Sequence, residues 1–119
     1  MLATGAAGGV GSVVTQISKW RGARTIGADR TPMSPEVEKA YGIDHYSVLE
    51  STNGSNRLVE GALAATDHKG VDVVYDCVGG PLFETCLKTL GQLGRQINIT
   101  SVGDRRVFLR SARFLPSSA

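Results

Sequence analysis

Cysteine and histidine are scarce in this sequence, with two of each among 119 residues. Cys77 and Cys86 are too few for a four-cysteine zinc site, and His45 and His68 lie in different segments without an evident third ligand. The spacing does not indicate the disulfides of an oxidising compartment either. We therefore expect no metal, and we interpret both cysteines as buried thiols.

Long apolar runs and an excess of one charge are also lacking. No stretch is apolar enough to span a bilayer, and the first residues do not follow the signal-peptide pattern, so we expect a cytoplasmic protein that binds no membrane. Thirteen Lys and Arg residues against eleven Asp and Glu give a net charge of +2. With the signs interspersed, nucleic acid is not an expected partner. Only residues 103–114 are locally basic.

What the sequence does contain is a regular alternation of short apolar runs with helical patterns. This alternation is typical of repeated βαβ units around a parallel sheet, and the chain length suits one small domain. The run "VDVVYDCV" is the strongest strand signal, because it is β-branched and apolar like a strand covered on both faces. Five strands are predicted, at residues 2–4, 23–28, 44–48, 71–78 and 95–100.

Four helical patterns separate these strands. The first, residues 9–22, repeats apolar residues at spacings of three and four, which predicts a face turned toward the core. That face carries Val10, Val13, Val14 and Ile17, with Trp20 near it as a packing residue. The other patterns run from a Ser34 cap with Pro35 at the first helical position to Gly42, over 57–68, and from Pro81 to Gly91.

The glycine-rich segment "TGAAGGVGS" lies directly between the first strand and the first helix. Such a turn gathers backbone N–H groups at the positive end of a helix dipole, where a pyrophosphate is stabilised. Aligned to GxGxxG, Ala6 takes the first place, Gly8 the second for close phosphate approach, and Gly11 the third for helix packing. The alternative is a tight turn without a ligand.

Taken with the strand and helix alternation, this motif predicts an α/β fold. We expect a three-layer αβα Rossmann fold, with a doubly wound parallel sheet of about five strands in the order 3-2-1-4-5.

Two adjacent residues at the end of the second strand bear on the choice of nucleotide. Asp29 lies 18 residues past Gly11, where an acidic side chain would hold the adenosine ribose and favour NAD(H). Arg30 would instead pair with a 2′-phosphate and favour NADP(H). The two signals conflict, and a solvated Asp–Arg pair at a turn is the third interpretation.

The chain resembles the cofactor domain of the medium-chain dehydrogenase/reductase superfamily. Within it, the likeness is to the zinc-type alcohol dehydrogenase-like proteins of the quinone oxidoreductase and enoyl reductase branch. The resemblance covers roughly residues 1 to 103, and its pieces fall in the family's order and spacing. They are "TGAAGGVGS", "GARTIGADR", "YGIDHYSV", "GVDVVYDCVGGPLFE" and "GRQINIT".

The resemblance implies a hydride transfer from NADPH to a quinone or to the double bond of an activated enone or enoyl substrate, commonly without zinc. NADP(H) is then the expected cofactor, with NAD(H) as the alternative. The implied cofactor-binding residues are Ala6, Ala7, Gly8, Gly9, Val10 and Gly11 at the pyrophosphate, Asp29 and Arg30 at the adenosine ribose, Cys77, Val78 and Gly79 near the adenine side and the nicotinamide ribose, and Ile99, Thr100 and Ser101 at the nicotinamide ring.

The chain also departs from that family. The substrate domain that precedes this segment in the family is not present, and residues 104–119 form a basic, Ser-rich tail or an incomplete sixth strand after a cofactor domain at 1–103. We therefore expect a truncated chain, an excised domain or a mis-terminated gene product. The third or fifth strand would then be an open edge, which predicts a homodimer.

Two other functions fit part of the sequence. Thr4, Gly5, Gly9 and Gly11 also satisfy the TGxxxGxG pattern of short-chain dehydrogenases, but the chain has no YxxxK pair and "DCVGG" stands where an NNAG-like segment is needed. The other is a non-catalytic nucleotide-binding or interaction module. Tyr75 as a proton donor is set against core packing, with Asp76 as a strand-end cap.

Overall fold

The computed structural model describes residues 1–50 and 54–99, with the side chains of 54–56 left out. In this part of the chain, five parallel strands form one sheet in the order β3-β2-β1-β4-β5, which confirms the predicted fold and strand order. The strands are β1 (Leu2–Thr4), β2 (Ile26–Asp29), β3 (His45–Val48), β4 (Val71–Asp76) and β5 (Leu90–Asn98). The helices are α1 (Gly9–Trp20), α2 (Pro35–Ala40), α3 (Gly54–Ala65) and α4 (Phe83–Thr89), with a 3-10 turn at Gly80–Leu82.

The strand order places the helices on two faces of the sheet. The chain steps one way from β1 through β3 and then reverses to β4 and β5. Because such crossovers are right-handed, α1 and α2 cover one face while α3 and α4 cover the other. Side chains of α3 and α4 join the sheet in a single core. Its buried members are Leu2, Ile26, Ala28, Leu58, Ala62, Val71, Val74, Cys86, Leu87 and Leu90.

The carboxyl ends of the strands meet at one edge of the sheet. Thr4 at the end of β1 is in register with Ala28 on β2 and with Asp76 on β4, and Asp76 is in register with Asn98 on β5. The order reverses between β1 and β4, which is the position where doubly wound sheets open a crevice for a ligand.

The predicted signals at the ends of α2 are confirmed. The Ser34 hydroxyl accepts a hydrogen bond from the Val37 N–H at 3.3 Å, and Pro35 is the first helical residue. Gly42 ends the segment with φ +70°, and a Cβ there would lie 2.7 Å from Lys19 Cβ. Glycine is required at this position by both its backbone conformation and the space available.

The strands predicted at 23–28, 44–48, 71–78 and 95–100 lie at 26–29, 45–48, 71–76 and 90–98, and the shift between the last helix and the last strand has a physical reason. The last helix pattern was expected to reach Gly91, but α4 ends at Thr89 and β5 begins at once with Leu90, which pairs with Val71. A Cβ at Gly91 would lie 2.4 Å from the Lys69 carbonyl oxygen, so the backbone passes closely under the preceding turn. The third helix was predicted over 57–68, but α3 already begins at Gly54 and ends at Ala65; residues 51–53 lie outside the described residues.

The predicted core face of α1 is wrong. Four of its five large apolar side chains are at least half exposed, and the buried residues of the helix are Gly11 and Thr15. Without a Cβ at Gly11 the helix comes so close to the sheet that small residues form the contact. Val14 alone among the predicted set is half-buried. The exposed members are Val10 (52%), Val13 (50%), Ile17 (54%) and Trp20 (80%).

Among the helices of the described residues, none combines the length and the apolar character that crossing a bilayer requires. The cytoplasmic location stays a prediction.

Candidate dinucleotide site

The glycine-rich segment forms a tight turn that leads into α1, and no side chain caps the N-terminus of this helix. Gly5 adopts φ +66°, and its carbonyl oxygen accepts a hydrogen bond from the Gly8 N–H at 2.9 Å. Gly8 is the N-cap of α1, and no side chain caps the helix or places a carboxylate in its first turn. The N–H groups of the first turn have no partner inside a helix, so this end of α1 offers donors and a positive dipole to an anion.

The space around these glycines fits a phosphate group on the outside of the turn. A Cβ at Gly11 would lie 2.2 Å from the Gly5 carbonyl oxygen, so this residue serves helix packing. A Cβ at Gly8 would meet only that same oxygen, at 3.3 Å, and a Cβ at Gly9 would meet nothing within 4 Å. The outer surface of the turn is therefore open, which suits the pyrophosphate of a dinucleotide.

Asp29 fastens the turn to the end of β2. Its Oδ2 accepts a hydrogen bond from the Ala7 N–H at 3.0 Å, and its Oδ1 accepts one from the Arg30 N–H at 2.6 Å. The Ala6 N–H donates to the Ala28 carbonyl oxygen at 3.2 Å alongside. The Arg30 side chain is exposed, and none of the ion pairs of the described residues includes it.

Tyr46 of β3 lies next to this end of β2. Its hydroxyl donates to the Thr31 carbonyl oxygen. Burial, together with the carboxylates of Asp29 and Glu38, raises the pKa of Tyr46 to about 12. The phenol therefore stays neutral at physiological pH and acts as a hydrogen-bonding group in this region.

Thr4 and Asp76 connect β1 to the loop after β4. The buried Thr4 hydroxyl donates to Asp76 Oδ1 at 2.7 Å and accepts from the Cys77 N–H at 3.0 Å. The same Oδ1 accepts from the Val78 N–H at 3.2 Å and the Gly79 N–H at 2.8 Å. Asp76 is thus a strand-end cap, as predicted, and the neighbouring Tyr75 is a half-buried strand residue paired with Ala3.

The loop after β4 lies directly beside the glycine turn. A Cβ built on Gly5 would lie 3.4 Å from both Cys77 Cβ and Val78 Cγ2. Burial and then the Asp76 carboxylate raise the pKa of the Cys77 thiol. Cys77 is half-buried rather than buried, so the prediction of two buried thiols holds for Cys86 and is wrong for Cys77.

The structure thus brings three of the four predicted groups of site residues to one edge of the sheet: the turn after β1, the pair after β2 and the loop after β4. Ile99 follows β5 and donates its N–H to the Asp76 carbonyl oxygen at 3.1 Å, while Thr100 and Ser101 lie outside the described residues. The cofactor roles of these residues stay predictions. Among the described residues, no three His, Cys, Asp or Glu side chains are grouped as metal ligands.

Two structural roles at the site were not foreseen from the sequence. Gly5 was noted only as part of the alternative TGxxxGxG pattern, yet it is the residue of the turn that adopts the left-handed conformation. Thr4 was also noted only there, yet it joins β1 to the β4 loop. A Thr-Gly pair ending a first strand was the available signal for both.

Comparisons with known proteins agree with this geometry. The model of the zinc-binding dehydrogenase family matches residues 9–115. A probable quinone oxidoreductase of Leishmania amazonensis is 34% identical over 102 residues, which cover 85% of this chain and 28% of that protein. An acryloyl-coenzyme A reductase of Metallosphaera sedula is 34% identical over 104 residues, covering 86% of this chain and 27% of that protein.

A solved structure adds a cofactor to the comparison. A mycobacterial protein in complex with NADPH superposes with a TM-score of 0.74 at 27% identity, over 84% of this chain and 30% of that one. The chain thus spans less than a third of each of these proteins. The short-chain dehydrogenase alternative is not favoured by these matches. The chain belongs to the zinc-binding dehydrogenase family, as a Rossmann-type domain of the quinone oxidoreductase and enoyl reductase-like branch of the medium-chain dehydrogenase/reductase superfamily.

Proposed function

We propose that this chain is the cofactor-binding part of an NADPH-dependent reductase. The observation that carries the proposal is the uncapped N-terminus of α1, which faces outward from an open glycine turn beside the reversal point of the sheet. When bound, NADPH supplies a hydride. The residues of this chain bind the cofactor and orient it, as the protein does in most cofactor enzymes.

The adenosine end of the cofactor would lie over β2, and we assign NADP(H) as the preferred form. Both oxygens of Asp29 already accept backbone N–H groups, from Ala7 and Arg30. These donors offset part of the carboxylate charge that would repel a 2′-phosphate. The guanidinium of Arg30 is exposed beside them and unpaired among the described residues, so it is available for a bidentate contact with that phosphate.

The other half of the cofactor would extend across the reversal point toward β4 and β5. Cys77, Val78 and Gly79 would then lie along the nicotinamide ribose, and the residues after β5, Ile99, Thr100 and Ser101, near the ring. The strand order supports this assignment, because Asp29 and the β4 loop lie on opposite sides of β1.

The hydride acceptor we propose is a quinone or the double bond of an activated enone or enoyl substrate. The names of the matched proteins, a quinone oxidoreductase and an acryloyl-coenzyme A reductase, support this class. Since the chain spans under a third of each of them, residues outside it would make most substrate contacts.

We also propose that two copies associate along β5. This strand is at the edge of the sheet in the described residues, and it exposes Leu93 (95%) and Ile97 (43%), with Ile99 (44%) directly after it. An apolar open edge favours pairing with another chain. Light scattering should give a dimer for the wild type and a monomer for Ile97→Lys; a wild-type monomer at high concentration would refute the pairing.

Calorimetric titration with NADPH and NADH tests the cofactor assignment. We expect NADPH to bind at least tenfold more tightly than NADH, and Arg30→Ala to remove most of that difference. Arg21→Ala is the matched control, because Arg21 is another exposed arginine and lies at the opposite end of α1. A folded wild type that binds neither nucleotide would refute the function, and equal loss in both variants would refute the role of Arg30.

A further inference from the structure

Thr4 and Asp76 form a buried pair at the point where the sheet order reverses, and both side chains are fully buried. We propose that they are positioning residues, which hold the loop Cys77–Gly79 in the conformation that receives the nicotinamide half of NADPH. This inference rests on the proposed cofactor function. Neither side chain needs to touch the cofactor, because both act through the backbone of the loop.

The Thr4 hydroxyl fixes the start of this loop. A hydroxyl has one proton to donate and two lone pairs with which to accept. Thr4 donates the proton to Asp76 Oδ1 and accepts the Cys77 N–H, so the hydroxyl bridges the side chain of β4 and the first loop peptide. Because Thr4 directly precedes the glycine turn, it connects that turn to the loop after β4, and these two segments lie on either side of the crevice.

The Asp76 carboxylate fixes the rest of the loop. Its Oδ1 accepts the N–H groups of Val78 and Gly79, so three successive loop amides have partners within this pair. Gly79 lies at φ +73° and ψ −157°, a conformation open essentially to glycine alone. A loop held by three inward hydrogen bonds and one such residue has a single defined path past Gly5.

A further observation separates Asp76 from an ordinary strand-end cap. Its Oδ2 is buried and has no hydrogen-bond partner among the described residues. A buried carboxylate oxygen without a hydrogen-bond partner lowers the stability of the folded protein. The three hydrogen bonds that Oδ1 accepts, from the Thr4 hydroxyl and from the Val78 and Gly79 N–H groups, offset this loss of stability. The single oxygen of an Asn side chain could accept the same hydrogen bonds, but a carboxylate oxygen accepts them more strongly because it is charged.

The test compares Thr4→Val with Thr4→Ser. Valine keeps the size and removes the hydroxyl, whereas serine keeps the hydroxyl and removes a buried methyl group. Hydrogen-bond positioning predicts that T4V weakens NADPH binding about tenfold and T4S no more than about twofold. Pure packing predicts the opposite order. Adenosine 2′,5′-bisphosphate, which lacks the nicotinamide half, should bind both variants as it binds the wild type.

Amide hydrogen exchange of the free protein gives a readout that needs no cofactor. In T4V the Cys77 N–H should exchange at least tenfold faster relative to the β4 amides, while in T4S that ratio should stay at its wild-type value. If T4V does not fold, T4S decides alone: a retained ratio supports the pair and a lost ratio overturns it.

The two proposals fail differently. A wild type that binds no NADPH refutes the cofactor function, while the exchange data still report whether the pair holds the loop. Normal Cys77 protection in folded T4V, or equal loss of affinity for NADPH and the bisphosphate, overturns the positioning role.

Discussion

Replacing Gly11 by alanine is the sharpest test of how α1 is attached to the sheet. A Cβ at this position would lie 2.2 Å from the Gly5 carbonyl oxygen, 2.7 Å from the Gly5 carbonyl carbon and 3.0 Å from Ala6 Cα. All three are backbone atoms of the turn, so no side chain can move aside. The helix must shift outward or the turn must open.

The expected magnitude combines two opposing effects. Alanine stabilises a helix by about 1 kcal/mol relative to glycine. Overpacking against backbone costs up to about 3 kcal/mol. We therefore expect Gly11→Ala to lower the free energy of unfolding by about 2 kcal/mol, a large part of the ~5 to 15 kcal/mol typical of a domain. With a urea m-value of about 1 to 3 kcal/mol/M, the midpoint followed by circular dichroism should fall by roughly 1 M.

Gly9→Ala is the matched control two residues earlier in the same helix. A Cβ there meets nothing within 4 Å, so the domain should be as stable as the wild type or slightly more stable. The same open space is where the pyrophosphate is proposed to lie, so this variant should bind NADPH at least tenfold more weakly. Wild-type stability in Gly11→Ala would refute the packing account, and wild-type affinity in Gly9→Ala would refute the position of the pyrophosphate.

Three further predictions follow from exposure and ionisation. Burial and then the Asp76 carboxylate raise the pKa of the Cys77 thiol, so Ellman's reagent should react with Cys77 slowly at pH 7.5 and faster as the pH rises. Cys86 is fully buried and should react only when the protein unfolds. Fast labelling of either thiol in the folded protein at neutral pH would contradict these expectations. Trp20→Lys should change the free energy of unfolding by less than about 0.5 kcal/mol, because Trp20 is 80% exposed; a larger loss in thermal unfolding would show hidden packing. Burial tends to raise the pKa of Asp44, but the Lys19 ammonium and the Thr25 N–H outweigh it and lower that pKa. Asp44→Asn should therefore lower the free energy of unfolding by about 0.5 kcal/mol at pH 7, and this difference should disappear as the pH falls below the pKa of Asp44 in the folded protein. A difference that persists at low pH would contradict the assignment.

The fold was predictable because its determinants are local. Strand and helix periods, Ser34 with Pro35, and the glycines after the helices each depend on a few neighbouring residues. The doubly wound order followed once the glycine turn stood between a strand and a helix, since the class of parallel folds with that turn is small.

The packing of α1 was not predictable in the same way. Apolar periodicity identifies a face of a helix but does not say which neighbour covers it. In α1 the contact with the sheet is made by Gly11 and Thr15, which carry little hydrophobic signal, while Ile17 and Trp20 point away from the described residues. A close contact between backbones leaves almost no trace in a hydrophobicity pattern.

In the candidate site, too, the residues that are close in sequence could be predicted, and the contact between distant residues could not. The turn, Asp29 and Arg30 could be predicted as site residues because they belong to one βαβ unit with fixed spacing. The link from Thr4 to Asp76 joins residues 72 positions apart, and nothing in the spacing of either residue indicates the other. Only the parallel register of β1 with β4 brings the hydroxyl and the carboxylate together.

An NMR titration of the chain with NADPH, following the backbone amides, tests whether the glycine turn holds the pyrophosphate. We predict that the largest shifts fall on Gly9, Val10 and Gly11, whose N–H groups begin α1, with a second group of shifts at Cys77–Gly79. Saturable shifts at both places would establish that the turn holds the pyrophosphate. A folded chain whose amide signals in the turn do not move at millimolar NADPH would contradict it.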